Sequence, residues 1–462
     1  MTDVASAPAL LWFRQDLRLA DNPALAAALD CGSPVVPVFI WAPEEEGDWP
    51  PGAASRWWLH QSLTSLSAEL RKRGSRLIIR RGPTAAALSR LVAESGASAV
   101  FWNRRYEPAA VARDREVKST LRKGGASAAS FNGSLLFEPW TICNGSQQPF
   151  RVFTPFWHAC LNKPLAPACE DAPRRLPSPG HWPHSLELSE LSLEPAVDWA
   201  GGFRQVWQPG EAGARRQLRR FLREALAEYP ANRDRPGLAG TSRLSPHLHF
   251  GEISPGQVRR AVLGAASGNH EACDAYLRQL GWREFAYHLL YHHPESPRQA
   301  LRRQFAAFPW RMHPEHFQAW TRGKTGYPLV DAGMRELWNT GWMHNRVRMV
   351  AASFLVKHLL IDWQAGAAWF WDTLVDADLA NNTLGWQWVA GCGADAAPYF
   401  RIFRPAIQAG KFDPGGDYIH RWVPELKQGP GSELSKAYAL PIVEHGEARE
   451  RALAALESIR NR

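Results

Sequence analysis

The chain has 462 residues, 22 tryptophans and a formal net charge of +9. This length predicts two domains, each large enough to bury its own apolar core. The six cysteines form no CxxC pair and no Cys/His cluster at metal-ligand spacing, which argues against a disulfide-stapled scaffold and against a metal site. Because no signal-peptide pattern opens the chain and no apolar run is long enough to span a membrane, we expect a cytoplasmic protein.

The charge and the tryptophans suggest classes of partner. A positive balance favours a polyanion such as nucleic acid. Indole rings can stack on bases or cofactors, relay electrons, or simply fill a core. Core packing is the default interpretation for any single tryptophan.

The first 135 residues alternate short apolar runs with amphipathic helical stretches. The runs predict strands at 9–13, 35–41, 76–79, 99–102 and 128–131, separated by helices such as 56–73. This alternation is typical of βαβ units, so residues 1–135 predict a doubly wound α/β domain with a parallel sheet. Neither a GxGxxG nor a GxxxxGK[ST] loop follows the first strand, which excludes both common nucleotide fingerprints.

The rest of the chain divides at about Gly210. Residues 136–209 are rich in Pro, Ser and Trp with weak periodicity, and they predict a long interdomain connection. Beyond them the apolar spacing is helical in the stretches 215–228, 254–265, 272–292, 329–340, 346–360 and 367–374. Residues 210–462 therefore predict a larger, all-helical domain.

The densest polar stretch is 375–388, where two acids, two amides and two tryptophans interrupt apolar surroundings. Buried polar groups need partners, which a polar aromatic ligand would provide, but Asp and Asn are also common helix caps. Upstream, Asn345, Arg348 and Met349 share one helical face by their i, i+3, i+4 spacing. From that face Arg348 is suited to pair with Asp376 or Asp378, while core packing is the default for Met349.

Two further motifs are ambiguous on their own. The segment GTSRLSP at 240–246 offers hydroxyls and backbone amides that suit a phosphate at a helix start, although helix capping explains two of the hydroxyls equally well. Trp282 and Arg283 share a predicted helix, where a packed indole and a surface ion pair are the plain alternative.

In this order the motifs resemble one family, the DNA photolyases and cryptochromes. The similarity extends from WFRQDLRLADN at 12–22 to the end of the chain. Its most specific elements are TSRLSP at 241–246, WREF at 282–285, TGYP at 325–328, WMHNR at 342–346, DADL at 376–379 and GWQW at 385–388.

The resemblance implies that FAD lies in a U shape inside the helical domain. Arg283 is then near the flavin, Arg348 with Asp376 flanks the ring, and Asp378 bonds to the cofactor. Asn382 faces flavin N5, where an amide can accept a hydrogen bond from a protonated N5 and favour the reduced flavin that repair needs. Plant cryptochromes place Asp there. The positions that match the phosphate and ribityl contacts are Tyr229, Thr241, Ser242, Arg243, Leu244 and Ser245.

The resemblance also implies an electron path and a lesion pocket. Trp386, Trp363 and Trp310 match the three tryptophans that photoreduce the flavin from the surface. Trp282 and Trp388 match residues that stack on a flipped-out pyrimidine dimer. The remaining expected contacts with the lesion or the DNA are Gln279, Asn345, Arg346, Met349, Arg401, Arg404 and Gln408.

Two lesion positions depart from the family pattern. Gln279 replaces the usual Glu, and it can donate a hydrogen bond but not a proton, so we expect retained but weaker repair. Arg404 replaces the usual Asn and either adds a phosphate contact or obstructs the pocket. Met349 favours cyclobutane dimers, because the related (6-4) enzymes place His there.

Within the family, the segments 376–384 and 390–396 are most like those of bacterial class III photolyases. These enzymes usually carry a 5,10-methenyltetrahydrofolate antenna, which we expect in the N-terminal domain even though 106–110 lacks the acid and amide of the class I folate pocket. The expected function is light-driven repair of cyclobutane pyrimidine dimers in damaged DNA, by a deoxyribodipyrimidine photo-lyase that acts as a monomer.

Two alternatives from other functional classes stay open. The first is a cryptochrome photoreceptor, in which Gln279 and Arg404 mark lost repair; we expect no long signalling tail after Arg462, which favours repair instead. The second is an α/β nucleotide-binding protein fused to a helical bundle, with no photochemistry.

Overall fold

A five-stranded parallel sheet forms the N-terminal domain in a computed structural model that describes residues 7–165, 167, 171–265, 269–396, 400–427, 438 and 440–460. The strand order is β3-β2-β1-β4-β5. The predicted strands are present, with β3 displaced by two residues toward the C-terminus. The strands are β1 (Ala9–Phe13), β2 (Val35–Trp41), β3 (Ile78–Arg81), β4 (Ala99–Asn103) and β5 (Ser127–Phe131).

Helices cover both faces of this sheet, which confirms the doubly wound α/β prediction. Every residue of β1 and β2 is buried, as expected where a parallel strand is covered on both sides. One face packs against α1 and α2, and the other against α3 and α4. These helices are α1 (Pro23–Asp30), α2 (Ala53–Lys72), α3 (Thr84–Ser95) and α4 (Pro108–Lys123).

The segment after the sheet contains helices that we did not predict. They are α5 (Phe153–Leu161) and α6 (Gly201–Val206). The helix α5 buries Phe153, Phe156, Trp157 and Cys160 at i, i+3, i+4 and i+7, in one core with the helical domain. A helical period was therefore present in this stretch, although it spans only two turns.

The remainder is mostly helical, as predicted. The predicted helix 346–360 is divided, because a π-helix at Phe354–His358 follows α14. The helices are α7 (Glu211–Glu224), α8 (Tyr229–Asn232), α9 (Ser245–His249), α10 (Pro255–Gly264), α11 (His270–His292), α12 (Pro314–Thr321), α13 (Pro328–Thr340), α14 (Asn345–Ser353), α15 (Trp363–Thr373), α16 (Leu379–Ala390), α17 (Pro405–Phe412), α18 (Asp417–Trp422) and α19 (His445–Glu457).

The helix α2 joins the two domains. Its buried indoles Trp57 and Trp58 belong to the same core as strand residues of the sheet and as Trp342 and Val375 of the helical domain. Gly52, just before α2, lies so close to α15 that a Cβ there would be 2.4 Å from the carbonyl oxygen of Trp371. No helix in the described part of the chain is long and apolar enough to cross a membrane.

Candidate functional site

Arg348 and Asp376 form a preorganised ion pair between α14 and the segment before α16. The Nη2 atom of Arg348 lies 2.8 and 3.0 Å from the two carboxylate oxygens, and its Nε donates to the carbonyl of Met343 at 2.7 Å. The Asp376 side chain is 3% exposed. Of the two acids that the sequence offered as partners, the structure pairs Arg348 with Asp376.

Asp378 caps α16. Its Oδ1 accepts hydrogen bonds from the backbone and side-chain nitrogens of Asn381, and its Oδ2 accepts one from the Tyr287 hydroxyl. His249 lies 3.6 Å away. Burial alone would raise the pKa of Asp378, but His249, Arg283 and Tyr287 outweigh it and hold the pKa well below its usual range. Capping thus accounts for this acid within the protein, and the charge of Arg283 lies close to it.

Asn382 stands one turn further along α16. Its side-chain nitrogen donates to the carbonyl of Ala367 in α15 at 3.0 Å. An amide that points its nitrogen at an acceptor turns its oxygen the other way. The Asn382 oxygen faces away from Ala367 and can accept a hydrogen bond from another group.

The predicted phosphate segment is an irregular turn that leads into α9. Arg243 lies in the left-handed backbone region with φ 50°, and its guanidinium sits 4.6 Å from the ring centroids of both Trp207 and Trp342. Its Nε has no hydrogen-bond partner in the described residues. A half-buried cation with a buried donor that lacks a partner fits an anionic group such as a phosphate.

The hydroxyls around Arg243 are partly engaged. Ser242 accepts from Tyr276 at 3.0 Å, and Ser245 accepts from Trp342 Nε1 at 3.3 Å. Tyr229 in α8 is buried against Tyr276, and burial raises the pKa of Tyr229 to about 12. These residues form one wall with the half-buried Thr241 and the buried Leu244.

The three tryptophans of the expected electron path lie in one core with graded exposure. Trp386 on α16 and Trp363 at the start of α15 are 2% and 4% exposed, and Trp310 packs against the same core from a partly exposed loop. Trp386 also contacts Trp320 edge-on at 6.2 Å between ring centroids, a neighbour that sequence patterning did not indicate.

The residues expected at the lesion lie on α11, α14 and α16. On α14 the Met349 sulfur is 4.0 Å from Asn345 Nδ2 and 3.7 Å from Arg346 Nη1. Among the described residues, Gln279 on α11 donates only to its own helix, to the carbonyl of Ala275 at 3.4 Å. Trp282 follows it by one turn, half-buried on the same helix.

The remaining predicted contacts come from the segment after α16. The Arg401 guanidinium is 6.0 Å from the ring of Trp388. Arg404 precedes α17, which carries Gln408. Burial lowers the pKa of His445, and the positive charge of Arg404 lowers it further. Arg404 itself is exposed.

The helix α16 brings these sets together. It packs against α11, α14 and α15. The helix α11 carries Gln279 and Trp282, α14 carries Arg348, and α15 begins with Trp363. Because one helix contacts all three, the predicted flavin, lesion and electron-path residues of α11, α14 and α15 lie around α16, although α11 begins more than a hundred residues before α16.

Sequence reasoning missed the buried acid Glu284 on α11. Its carboxylate accepts from the backbone nitrogens of Leu136 at 2.9 Å and Phe137 at 3.1 Å, which attaches the connecting segment to the helical domain. Burial raises the pKa of Glu284 to about 7. It stands next to Arg283 in the WREF motif, so the motif itself was a signal.

A second candidate site lies at the carboxyl ends of the strands, where doubly wound sheets commonly bind ligands. This N-terminal cleft is lined by aromatic rings and arginines, among them Trp12, Arg14, Trp41, Trp49, Arg105 and Arg113.

The arginines of the N-terminal cleft are only partly satisfied. Burial alone would raise the pKa of Glu46, but Arg105 and Arg113, each 2.8 Å away, lower it to about 2. The Nε atoms of Arg14, Arg105 and Arg113 have no hydrogen-bond partner in the described residues. Unsatisfied buried donors beside indoles suit a planar ligand with acceptor or anionic groups.

The comparisons with known proteins agree with this arrangement. A family model for DNA photolyase matches residues 9–177, and one for the FAD binding domain of DNA photolyase matches residues 276–458. A deoxyribodipyrimidine photo-lyase from Agrobacterium fabrum is 49% identical over 98% of both chains. Cryptochrome-1 of Arabidopsis thaliana is 40% identical over 97% of this chain and 70% of its own. The crystal structure of a class III photolyase from Agrobacterium tumefaciens superposes with a TM-score of 0.94 and 48% identity, over 100% of both chains.

Proposed function

The chain belongs to the photolyase and cryptochrome family, and from this premise we propose that it repairs cyclobutane pyrimidine dimers in DNA as a light-driven deoxyribodipyrimidine photo-lyase. The observation that carries the proposal is the position of α16, which packs against helices that carry expected flavin, lesion and electron-path residues. We further propose that it acts as a cytoplasmic monomer whose partner is damaged DNA, in keeping with the net charge of +9.

The helical domain would hold FAD, which when bound supplies the light-driven electron transfer. The Arg348–Asp376 pair would flank the ring and fix its orientation, and the Asn382 oxygen would accept a hydrogen bond from a protonated N5. Arg283 would lie beside the ring. The residues that would hold the phosphates and ribityl chain are Tyr229, Thr241, Ser242, Arg243, Leu244 and Ser245.

The tryptophans would have two uses. Trp310, Trp363 and Trp386 would deliver electrons from the surface to the reaction centre, in keeping with their decreasing exposure. Trp282 and Trp388 would present apolar faces to the extruded dimer, with Met349, Asn345 and Gln279 at its edges. The residues that would contact the DNA backbone are Arg346, Arg401, Arg404 and Gln408.

The runner-up is a photoreceptor. The specific observation in its favour is Gln279, whose amide points back to its own helix at the place where repair enzymes of the family carry Glu. Asn382 favours repair instead, because plant cryptochromes carry Asp there. Arg404 is exposed just before α17, where a cation would suit a phosphate of the DNA backbone.

We propose an antenna chromophore, a methenyltetrahydrofolate, for the N-terminal cleft. Its rings would stack on the indoles, and its carboxylates would meet the arginine donors that lack partners. One other aromatic pair offers an alternative place, because Trp338 and Trp369 lie nearly parallel at 6.3 Å with Trp338 60% exposed. Loss of near-ultraviolet absorbance in Trp338→Ala, with none in an Arg14 variant, would assign the antenna to that pair.

Repair is tested by illuminating purified, photoreduced protein with a dimer-containing oligonucleotide and measuring the loss of dimer by chromatography. We expect blue-light-dependent restoration of the two pyrimidines and none in the dark. Photoreduction without dimer loss would reject repair and support the photoreceptor, whereas a colourless protein would reject both. Gln279→Glu then shows whether this position limits the rate of repair.

A further inference from the structure

Asp395, in the turn after α16, links the two tryptophans that we assign to the lesion. Its carbonyl oxygen accepts a hydrogen bond from Trp388 Nε1 at 3.1 Å. Its carboxylate faces the backbone N–H of Phe153, at the start of α5, and this N–H offsets part of the rise in pKa that burial of Asp395 causes. Asp395 has φ 53°, a left-handed conformation that Asp tolerates better than most residues.

Phe153 continues this link to the other tryptophan. Its ring stacks on Trp282 with 3.8 Å between centroids and 7° between planes. Phe153 is fully buried, and the guanidinium of Arg278 lies 4.8 Å from its ring centroid, where its charge also acts on the Asp395 carboxylate. One face of the Trp282 indole is therefore covered by the protein, and only the other remains for a base.

The close approach of α5 to α11 depends on Gly281. A Cβ at this position would lie 2.6 Å from the Trp157 indole, which itself stacks on Phe153. The residue before Trp282 thus has no side chain because α5 occupies its space. Gly281 on α11 and Trp157 on α5 together allow this close contact between the two helices.

We propose that Asp395 and Phe153 are positioning residues that hold Trp282 and Trp388 in a fixed arrangement for the extruded dimer. The inference rests on the proposed function, since it assumes that these two indoles receive the lesion. A pocket whose walls are fixed before binding loses less conformational entropy when the lesion enters. We call the linked set of Trp282, Phe153, Asp395 and Trp388 the tryptophan brace.

Three substitutions separate the brace from backbone strain and from folding. Asp395→Gly keeps the left-handed backbone accessible and removes only the carboxylate, whereas Asp395→Asn keeps an oxygen that can accept from Phe153. Phe153→Leu preserves most of the buried volume and removes the aromatic stack. All three should bind FAD like the unsubstituted protein, which flavin absorbance after desalting measures.

The first readout is binding of a dimer-containing duplex relative to the undamaged duplex. We expect Asp395→Gly and Phe153→Leu to weaken dimer binding about tenfold and leave undamaged binding unchanged, since each removes one contact to an anchoring group. Asp395→Asn should restore most of the preference. A fluorescent base analogue opposite the lesion should show reduced base flipping in the two impaired variants only.

The second readout needs no DNA. In protein labelled with fluorotryptophan, the resonances of Trp282 and Trp388 can be assigned by Trp→Phe variants, and Asp395→Gly should shift both while Asp395→Asn shifts neither. Unchanged resonances, or an unchanged dimer preference in Asp395→Gly and Phe153→Leu, would overturn the proposal. If the resonances shift as expected but the unsubstituted protein shows no preference for dimers, the proposed repair function has failed, and the lesion role of the brace fails with it.

Discussion

In the helical domain the charges that would flank the flavin ring are paired within the protein, whereas the N-terminal cleft gathers three arginines whose Nε atoms have no partner among the described residues. The guanidinium of Arg348 donates to Asp376 and to a backbone carbonyl, and Asp378 caps α16. The charges beside the proposed ring position thus have partners without a ligand, while the N-terminal cleft leaves donors that a ligand would satisfy. Removing a charge should therefore mainly lower the stability of the protein at the first site and mainly weaken ligand binding at the second.

The strongest test of this contrast is Arg348→Met. It leaves the buried Asp376 charge uncompensated, so we expect a loss of FAD and a fall in the free energy of unfolding of about 3–5 kcal/mol. Flavin absorbance and denaturant titration measure the two effects. The matched control is Arg346→Met on the same helix, whose pair with Asp234 is more exposed; it should keep FAD and change stability by less than about 1 kcal/mol. Full FAD occupancy in Arg348→Met would contradict the assignment.

Glu284 gives the helical domain a pH dependence between about pH 4.5 and pH 7. Its folded pKa of about 7 lies above the ordinary value of 4.5, so the folded state holds the proton more tightly between these values. Stability must therefore fall as pH rises through this window, by about 3 kcal/mol for this group.

Glu284→Gln removes this titration and keeps an oxygen for the two backbone donors. We expect the variant and the unsubstituted protein to differ least at about pH 4 and most at about pH 8, where the variant is more stable. Denaturant titrations across this range measure the difference. Parallel stability profiles would show that Glu284 does not titrate in this window.

In the N-terminal cleft, Arg105→Met should act mainly on the ligand. Glu107 loses its partner but Glu46 keeps Arg113, so we expect a stability loss of about 2 kcal/mol. Antenna absorbance should disappear, while FAD content and dimer repair under direct flavin excitation persist. The control Lys72→Met removes an exposed pair with Glu69 in the same domain and should change neither absorbance nor stability measurably.

The smallest expected effect on stability is that of Asn382→Asp. It loses one hydrogen bond to the Ala367 carbonyl, worth about 1 kcal/mol, and places a negative charge beside the proposed N5 position. We expect normal FAD content but faster dark reoxidation of the photoreduced protein in air, followed by flavin absorbance. Asn381→Ala, on the same turn of α16, is the control and should reoxidise at the unsubstituted rate.

Much of the fold could be predicted because its strands are continuous apolar runs and its long helices are periodic. The predicted β3 begins two residues too early, because the apolar run starts before the strand. The prediction also treated α14 and the following π-helix as one helix, since apolar residues continue through both. The helix α5 was missed because two turns give a weak period within a Pro-rich stretch.

The two sites differed in how far the sequence could reveal them. Arg348 and Asp376 are each part of a compact motif, so the flavin residues could be named from sequence, although the choice between Asp376 and Asp378 required coordinates. The N-terminal cleft draws single residues from separate strands and loops, and no local pattern connects Trp12, Glu46 and Arg105. Asp395 and Phe153 are likewise far apart in the chain.

The shared core around α2 has a consequence for how the molecule unfolds. Trp57 and Trp58 pack with the sheet and also with Trp342 and Val375, so neither domain can lose its structure without exposing apolar surface of the other. A calorimetric scan should therefore show one cooperative transition for both domains. The same core keeps the N-terminal cleft at a constant distance and orientation from the helical site, a condition under which excitation captured at one site passes to the other with the same efficiency in every molecule.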